Sequence, residues 1–405
     1  MQCMEATRAA GEAQLLGFVP RMGRRYASGR NYDRGPGRHS AVSTLSPYLR
    51  RRLVLEQDVV AAALAEHGAE GAEKFVQEVL WRGYFKGWLE RRPGIWTSYL
   101  EGLAQDFTQV DADRRLRRQL SAAEAGETGL ACFDAWAQEL VETGYLHNHA
   151  RMWFASVWIF TFKLPWRLGA DFFYRHLLDG DPASNTLSWR WVAGLHTRGK
   201  TYQARAWNIA KYTDQRFTPR DTELATEAQA LTAEEPDGLP PASPLREPVA
   251  PEPGLPTLLL ITEEDCRVED FDLGALDVRA AATLSASHLR SSLPVGEVVR
   301  AFEDAALVDA ATRSGFEATP LQATSVDALS GLAVHRGIRQ IVTPYVPEGP
   351  LRDWLRGNEP ALAQAGMRFC ELRRDWDTAV WPHATAGFFK VKQRIPEILH
   401  AVGLD

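Results

Sequence analysis

Cysteine is scarce in this sequence of 405 residues, and its four cysteines are too widely separated to form a C-x-x-C motif. That spacing disfavours a zinc or iron–sulfur site and suits a reducing cytoplasm. The chain also lacks a G-x-G-x-x-G sequence and a Walker loop, so it has no familiar phosphate-binding motif. No apolar run reaches the ~18 residues of a membrane span, and residues 1–20 lack the pattern of a secretory signal. We therefore expect a cytoplasmic protein without a membrane partner.

The net charge of −6 argues against a protein that coats nucleic acid over its whole surface. The basic residues are unevenly distributed, however, and arginines are concentrated between Arg21 and Arg52. A basic patch on one domain can follow a phosphate backbone. From charge alone, a solvated arginine-rich surface is an equally good interpretation.

Apolar periodicity and composition divide the chain into four segments. Residues 1–20 are expected to be a flexible extension, and residues 21–224 have mostly helical periodicity. Residues 225–256 are rich in proline and acid, which is typical of a linker, and residues 257–405 alternate strand and helix patterns. The predicted fold class is an all-helical domain followed by an α/β domain with a parallel, Rossmann-like sheet. We predict strands at 258–262, 318–321, 338–342 and 367–372, and helices at 295–314, 326–336 and 351–365.

The most informative part of the sequence is a signature of about fifty residues. Its parts are, in order, GYLHNHARM (144–152), WR (166–167), DGDPASN (179–185) and WRW (189–191). On a helix, Asn148, Arg151 and Met152 share one face because of their spacing. An unpaired buried arginine is costly, so Arg151 needs an anion, and Asp179 and Asp181 are the nearest acids. The alternative is a tryptophan-rich core whose polar residues satisfy one another.

This signature resembles the flavin-binding half of the photolyase/cryptochrome family, in which HN-x-x-R-M, W-R, DGD-x-A-x-N and W-x-W recur with this spacing. The resemblance implies an all-helical FAD-binding domain, with Arg151 paired to Asp179. The flavin ligands that it implies here are Asn148, Arg151, Asp179, Asp181 and Asn185. Met152 matches the methionine of cyclobutane-dimer repair sites, and Trp191 matches a wall of the substrate pocket. A metal site at the two aspartates is disfavoured because no histidine or cysteine accompanies them.

Two upstream segments resemble the same family. STLSPYL at 43–49 is similar to T-S-x-L-S-P-Y-L, which holds the flavin diphosphate, although Val42 replaces a threonine. Ser46 is a natural N-cap, and the helix start that follows suits an anion. The cofactor-binding residues implied by this segment are Ser43, Leu45 and Ser46, with Tyr32 upstream.

FVQEVLWR at 75–82 is similar to the family's W-x-x-E-L-x-W-R. The resemblance places Arg82 on the cofactor phosphates, makes Trp81 a stacking wall for a flipped base, and has Glu78 hydrogen-bond a pyrimidine edge. Phe75, also assigned to the cofactor, replaces a tryptophan, and Gly83 replaces an acid; we expect both changes to loosen the site. Without the family, Glu78 and Arg82 form an ordinary i, i+4 ion pair.

Trp166 and Trp189 match two members of the family's electron-transfer relay. The third would lie near Ala123, where there is no tryptophan, so the relay is interrupted or passes through Trp136 or Trp158. His149 stands where repair enzymes have an arginine, and it either meets a phosphate when protonated or is hydrogen-bonded structure. The cations assigned by position to the pocket rim are Arg198, Lys200 and Lys211.

The resemblance predicts light-driven, FAD-dependent repair of cyclobutane pyrimidine dimers in DNA. The alternatives are a cryptochrome-like blue-light photoreceptor with a signalling partner and a light-independent flavoprotein scaffold. The α/β half is weakly similar to the family's antenna domain, at residues 337–345, 365–369 and 385–392. That domain usually comes first, so the order is circularly permuted or an unrelated domain is attached. A second, antenna chromophore is left open, and we expect a monomer.

Overall fold

In the computed structural model, which describes residues 4–404, the first half is built from helices alone. Its helices are α1 (Arg8–Phe18), α2 (Arg24–Gly29), α3 (Ser46–Arg50), α4 (Glu56–Glu90), α5 (Pro93–Ala112), α6 (Arg114–Ala125), α7 (Ala131–Thr143), α8 (Asn148–Ser156), α9 (Trp166–His176), α10 (Pro182–Val192) and α11 (Ala206–Tyr212). The longest, α4, is interrupted at Gly68, whose φ of 64° lies in the left-handed region that glycine adopts without a steric penalty. None of the described helices is long and apolar enough to cross a bilayer.

The segment expected to be a flexible extension contains α1 instead. Thr7 caps this helix, since its side chain accepts a hydrogen bond from the backbone N–H of Ala10. Gly11, Leu15 and Phe18 are buried and recur at helical spacing, so the helix packs one face on the core. The prediction is therefore wrong for residues 8–18, while residues 1–3 lie outside the described part of the chain.

The second half is a five-stranded parallel sheet with helices, which confirms the predicted fold class. Its strands are β1 (Pro256–Thr262), β2 (Asp277–Ser285), β3 (Ala318–Gln322), β4 (Gln340–Pro344) and β5 (Arg368–Leu372), in the order β3-β2-β1-β4-β5. Its helices are α12 (Glu297–Ser314), α13 (Val326–His335), α14 (Pro350–Gln364), α15 (Asp375–Val380), α16 (Phe389–Lys392) and α17 (Ile395–Ala401). Strand β2 has no counterpart among the predicted strands, because its alanines carry little strand propensity.

The proline-rich segment between the halves lies along the protein surface and is tied to both. Its Leu231 N–H donates to the carbonyl of Ala193 in the helical half, and its Glu235 pairs with Arg190. At its other end, Val249 accepts a hydrogen bond from the backbone N–H of Glu371 in β5. The segment is therefore a fixed connection over much of its length.

Buried ion pairs join the two halves. The guanidinium of Arg50 makes a bidentate contact with Glu264, with N–O distances of 2.7 and 3.0 Å. Arg51 lies 3.3 Å from Glu263, and Arg52 lies 2.6 Å from Asp377. Because these groups are withdrawn from water, each charge depends on its partner in the other half.

Candidate functional site

Four charged residues from distant parts of the helical half form one cluster. Nη2 of Arg151, on α8, lies 3.0 Å from Oδ2 of Asp179, so the expected ion pair is present. Asp181 caps α10 by accepting a hydrogen bond of 2.7 Å from the Ser184 N–H, and Nζ of Lys86 lies 3.6 Å from its other oxygen. Arg82, on α4, is the fourth member, and its charge acts on both aspartates.

Both aspartates are held in their ionised form. Burial acts to raise the pKa of Asp179, but Arg151 and Arg82 outweigh it and lower the pKa below its ordinary value. Burial likewise opposes ionisation of Asp181, and Lys86, Arg50 and Arg82 lower its pKa well below the usual range. The cluster is therefore fully charged at neutral pH.

Several polar atoms of this cluster have no hydrogen-bond partner among residues 4–404. They are Nη1 of Arg82, Oδ1 of Asp179 and Oδ2 of Asp181, all buried. Buried polar atoms in folded proteins are nearly always hydrogen-bonded, so these atoms fit a polar ligand that offers both donors and acceptors. The cluster thus suits a group such as a flavin nucleotide.

The phosphate-binding segment differs in register from the prediction. Leu45 occupies the N-cap position of α3 without a side-chain cap, and Ser46 is the first residue of the helix. The Ser46 side chain instead helps to lower the pKa of Asp179, so the start of α3 acts on the charged cluster. Behind this segment, the amide of Gln14 in α1 donates to the carbonyl of Ser43 at 2.7 Å and holds the loop in place.

The other implied flavin residues lie around the cluster in different environments. Asn148 is exposed at the start of α8, and Met152 is half-buried one turn further on. The amide of Asn185 donates to the carbonyl of Ala170 at 2.8 Å, which fixes its orientation. Tyr32 packs edge-on against Tyr212, away from the aspartates.

A cavity of about 700 Å³ opens beside this segment, at Thr44, Tyr145 and Leu178. Its walls come from α1, the loop 36–44, α7 and α12, so both halves of the protein contribute. None of the residues that the sequence predicts to bind the cofactor lines this cavity. Thr44 and Leu178 do line it, and they are adjacent in sequence to the predicted residues Ser43, Leu45 and Asp179. Nothing in the sequence predicts this cavity, because it arises from packing between segments that are distant in the chain.

Glu78 and Trp81, also on α4, make contacts outside the charged cluster. Glu78 pairs with Arg30 at 2.8 Å and not with Arg82, so the simple i, i+4 interpretation is wrong. Trp81 stacks on Phe388, a residue of the α/β half that no sequence motif marks. Its proposed counterpart across the pocket, Trp191, packs against Tyr202 with ring centroids 5.6 Å apart.

The two unusual residues of this helix are both accommodated by packing. Phe75 is buried against Tyr26 and Phe18, with centroid distances of 4.9 and 6.2 Å. A Cβ atom at Gly83 would lie 3.0 Å from a methyl group of Val380, so the α/β half fills the space beside it.

His149 is part of the structural hydrogen-bond network. Its Nδ1 lies 3.0 Å from the Asn31 carbonyl, its Nε2 lies 3.2 Å from the Tyr202 hydroxyl, and its ring stacks on Trp153. Burial lowers its pKa, so the imidazole is neutral at pH 7. The rim cations Arg198, Lys200 and Lys211 are exposed, as their assigned position requires.

The tryptophans of the implied relay are buried but separated. Trp189 contacts Trp158 edge-to-face, with ring centroids 6.2 Å apart. Trp166 packs on Tyr99 at 5.8 Å, and Trp136 stacks on Trp153 at 5.5 Å. Of the two substitutes suggested for the missing third member, Trp158 is therefore the one in contact with Trp189.

Comparison with known proteins locates the family relationship in this half. Residues 75–220, which include Arg82, Arg151 and both aspartates, match the family described as the FAD binding domain of DNA photolyase. This segment is thus similar to the FAD-binding domain of DNA photolyases.

Among its relatives, the deoxyribodipyrimidine photo-lyase of Streptomyces griseus is 38% identical over 158 residues, which are 39% of this chain and 33% of that protein. The deoxyribodipyrimidine photo-lyase of Thermus thermophilus is 33% identical over 198 residues, covering 49% and 45% of the two chains. A bacterial class III photolyase structure from Agrobacterium tumefaciens is 25% identical with a TM-score of 0.41, over 51% of this chain and 43% of that one. The chain thus matches less than half of the length of these photolyases.

Proposed function

We propose that this protein is a photolyase that uses FAD and blue light to split cyclobutane pyrimidine dimers in DNA. The observation that carries the proposal is the cluster of Arg82, Arg151, Asp179 and Asp181, with its unpartnered buried atoms, inside the segment that matches the photolyase flavin domain. When bound and reduced, FAD supplies a light-excited electron, which splits the dimer and then returns.

The protein's own residues bind and orient the cofactor. Nη1 of Arg82, which is buried without a partner among residues 4–404, would be a donor for the diphosphate. Arg151 keeps Asp179 ionised, so that its free oxygen accepts a hydrogen bond from the flavin. Asn185, oriented by its bond to the Ala170 carbonyl, would be one of the residues that hold the flavin ring and would influence which reduced state is stable.

Other side chains bind the dimer after it is flipped out of the duplex. Trp81 and Trp191 are the aromatic walls, Met152 contacts the dimer, and Glu78 hydrogen-bonds a pyrimidine edge. Extruded bases are read by stacking and by hydrogen bonds to their edges, which these residue types provide. The exposed Arg198, Lys200 and Lys211 neutralise backbone phosphates at the rim.

Purified protein tests this proposal directly. We expect a flavin absorption spectrum and light-dependent recovery of thymines from an oligonucleotide that contains one cyclobutane dimer, with no recovery in the dark. Bound flavin without light-dependent recovery would indicate the photoreceptor alternative. Protein that stays colourless after incubation with FAD would rule out both.

For the α/β half, we propose a relationship to the family's antenna domain in circularly permuted order. Its five parallel strands in the order β3-β2-β1-β4-β5 support a doubly wound domain of that kind. An antenna chromophore would appear as a second absorption band in the purified protein that remains after the flavin is removed.

A further inference from the structure

One face of Trp81, the proposed stacking wall for a flipped base, is covered by a ring from the α/β half. Phe388 lies nearly parallel to Trp81, with ring centroids 4.0 Å apart and 13° between the planes. Tyr84 meets Trp81 edge-on, and Phe85 is tilted against it at 5.3 Å. Parallel stacking at this distance is the geometry by which bases stack on aromatic side chains.

The segment that carries Phe388 is held at its two ends. Before it, Nη2 of Arg92 donates a hydrogen bond of 2.9 Å to the carbonyl of Thr385. After it, Val391 is fully buried, and Nζ of Lys392 lies 3.6 Å from Glu73 on α4. These contacts keep the segment beside Trp81 without involving the Phe388 ring.

Between these contacts the chain is exposed. Thr385, Ala386, Gly387 and Phe389 are all exposed, and a Cβ atom at Gly387 would meet nothing within 4 Å. The ring of Phe388 can therefore leave Trp81 by a change in this short loop, while Val391 stays in the core.

We propose that Phe388 is a displaceable cap that occupies the base-stacking face of Trp81 until an extruded base replaces it. The cap opposes dimer binding: an extruded base stacks on Trp81 only by displacing the Phe388 ring, so Phe388 sets the affinity for the extruded dimer. This inference rests on the proposed function, because it requires that Trp81 receives a flipped base.

Binding of DNA to the flavin-loaded protein in the dark tests the cap without catalysis. The variants are Phe388→Ala and Phe388→Leu, the second of which keeps most of the apolar volume and so protects the fold. Phe389→Ala is the matched control, since Phe389 is the neighbouring phenylalanine but is 65% exposed and makes no ring contact. The two probes are duplex oligonucleotides of one sequence, with and without a single cyclobutane thymine dimer.

We expect both Phe388 variants to bind the dimer-containing duplex about 2- to 12-fold more tightly, the range that corresponds to one aromatic pair. Affinity for the undamaged duplex should not change, and Phe389→Ala should behave as wild type. Unchanged or weaker binding of the dimer by both Phe388 variants would overturn the cap while leaving the proposed function intact. A wild-type protein that holds flavin but does not distinguish the two duplexes would overturn the proposed function, and the cap with it.

Discussion

Arg82 is the residue whose surroundings depend most on a bound cofactor. One of its guanidinium nitrogens is buried without a hydrogen-bond partner, and it faces two aspartates that are already satisfied in part by Arg151 and Lys86. A ligand phosphate would complete the hydrogen bonds of this guanidinium group, because arginine binds phosphate through charge-assisted pairs.

We therefore expect Arg82→Ala to weaken FAD binding by about 10- to 100-fold, because a hydrogen bond to a charged group contributes ~1.5–3 kcal/mol. The measurement is a titration of the flavin-free protein with FAD, followed by fluorescence. Arg118→Ala, which removes an exposed arginine of α6, is the matched control and should bind FAD as wild type does. Equal affinity in the two variants would remove Arg82 from the site.

Glu78 lies one helical turn before Arg82 on the same helix, but it pairs with Arg30 rather than with the charged cluster. We expect Glu78→Ala to lower the yield of dimer repair about tenfold with flavin content unchanged, because the variant loses the proposed substrate contact and the Arg30 pair but no contact within the cluster. Repair per absorbed photon and the flavin-to-protein ratio are measured together. Loss of flavin in this variant would place Glu78 at the cofactor and contradict its assigned role.

The residues that the sequence identifies best are those whose motif lies on one helix or one turn. Arg151 and Asp179 are an example, since the need of a buried arginine for an anion predicts their ion pair. Lys86 beside Asp181 and Phe388 beside Trp81 also belong to the candidate site, but no motif marks either residue. Lys86 reaches Asp181 only through the packing of α4 on α10, and Phe388 comes from the opposite end of the chain.

At the scale of whole elements, apolar periodicity predicts the strands and helices of the α/β half well. It fails at α1, whose single buried stripe is short and follows an irregular start, and at β2, whose alanines resemble a helix. Both elements form because of tertiary contacts that the local sequence does not show. Helix α1 packs Gly11 closely on Tyr48 and Val54, and β2 pairs with β1 and β3 on its two sides.

The packing of the helices determines which tryptophans are in contact in the proposed electron-transfer relay. Helix α6 carries the buried Ala123 where the third relay tryptophan is expected, whereas the turn after α8 brings Trp158 against Trp189. We expect Trp158→Phe to slow photoreduction of the flavin severalfold in the presence of an electron donor. Trp136→Phe is the control, because Trp136 stacks on Trp153 instead; equal slowing in both variants would contradict the route through Trp158.

At the scale of the whole molecule, buried ion pairs connect the helical half to the α/β half. Doubly wound sheets usually bind ligands at the carboxyl ends of the central strands. Here the residues after β1, Glu263 to Asp265, are engaged by Arg50 to Arg52 of the helical half. The usual ligand crevice is thus filled by the neighbouring domain, so a second chromophore would have to bind elsewhere.

Removing Glu264 from this interface leaves Arg50 with only longer carboxylate contacts, at 3.7 Å to Glu263 and 3.8 Å to Asp181. Glu264→Gln is therefore expected to lower the free energy of unfolding by about 1.5–3 kcal/mol, because the buried Arg50 loses its bidentate, charged partner. Chemical denaturation measures this difference. Arg117→Ala breaks the exposed pair with Asp111 and should cost at most ~1 kcal/mol, so similar losses in both variants would contradict the argument.

The interface also makes stability depend on pH through Glu90, at the end of α4. Burial raises the pKa of Glu90 from 4.5 to about 7, although hydrogen bonds from the Tyr345 hydroxyl and the Glu348 N–H oppose this. The folded protein therefore holds a proton that the unfolded chain releases near pH 4.5. The contribution of Glu90 to stability falls as pH rises from about 4.5 to about 7 and is constant above that range.

Glu90→Gln removes this titration. We expect the melting temperature of this variant, relative to that of the wild-type protein, to increase from pH 5 to pH 8. The increase corresponds to a change of at most ~3 kcal/mol in the free energy of unfolding. Scanning calorimetry across that range measures the difference, with the exposed Glu66→Gln as control. A difference that does not vary with pH would show that Glu90 has the same protonation state in the folded and unfolded chain.

Gly83 and Gly87 lie on the side of α4 where the region around Val380 and Trp381 docks. A Cβ atom at Gly87 would come within 2.8 Å of the Trp381 backbone, so even alanine would force the two surfaces apart. A larger side chain at position 83 would likewise meet Val380, so this contact between the two halves requires two small residues, one helical turn apart, directly after Trp81 and Arg82.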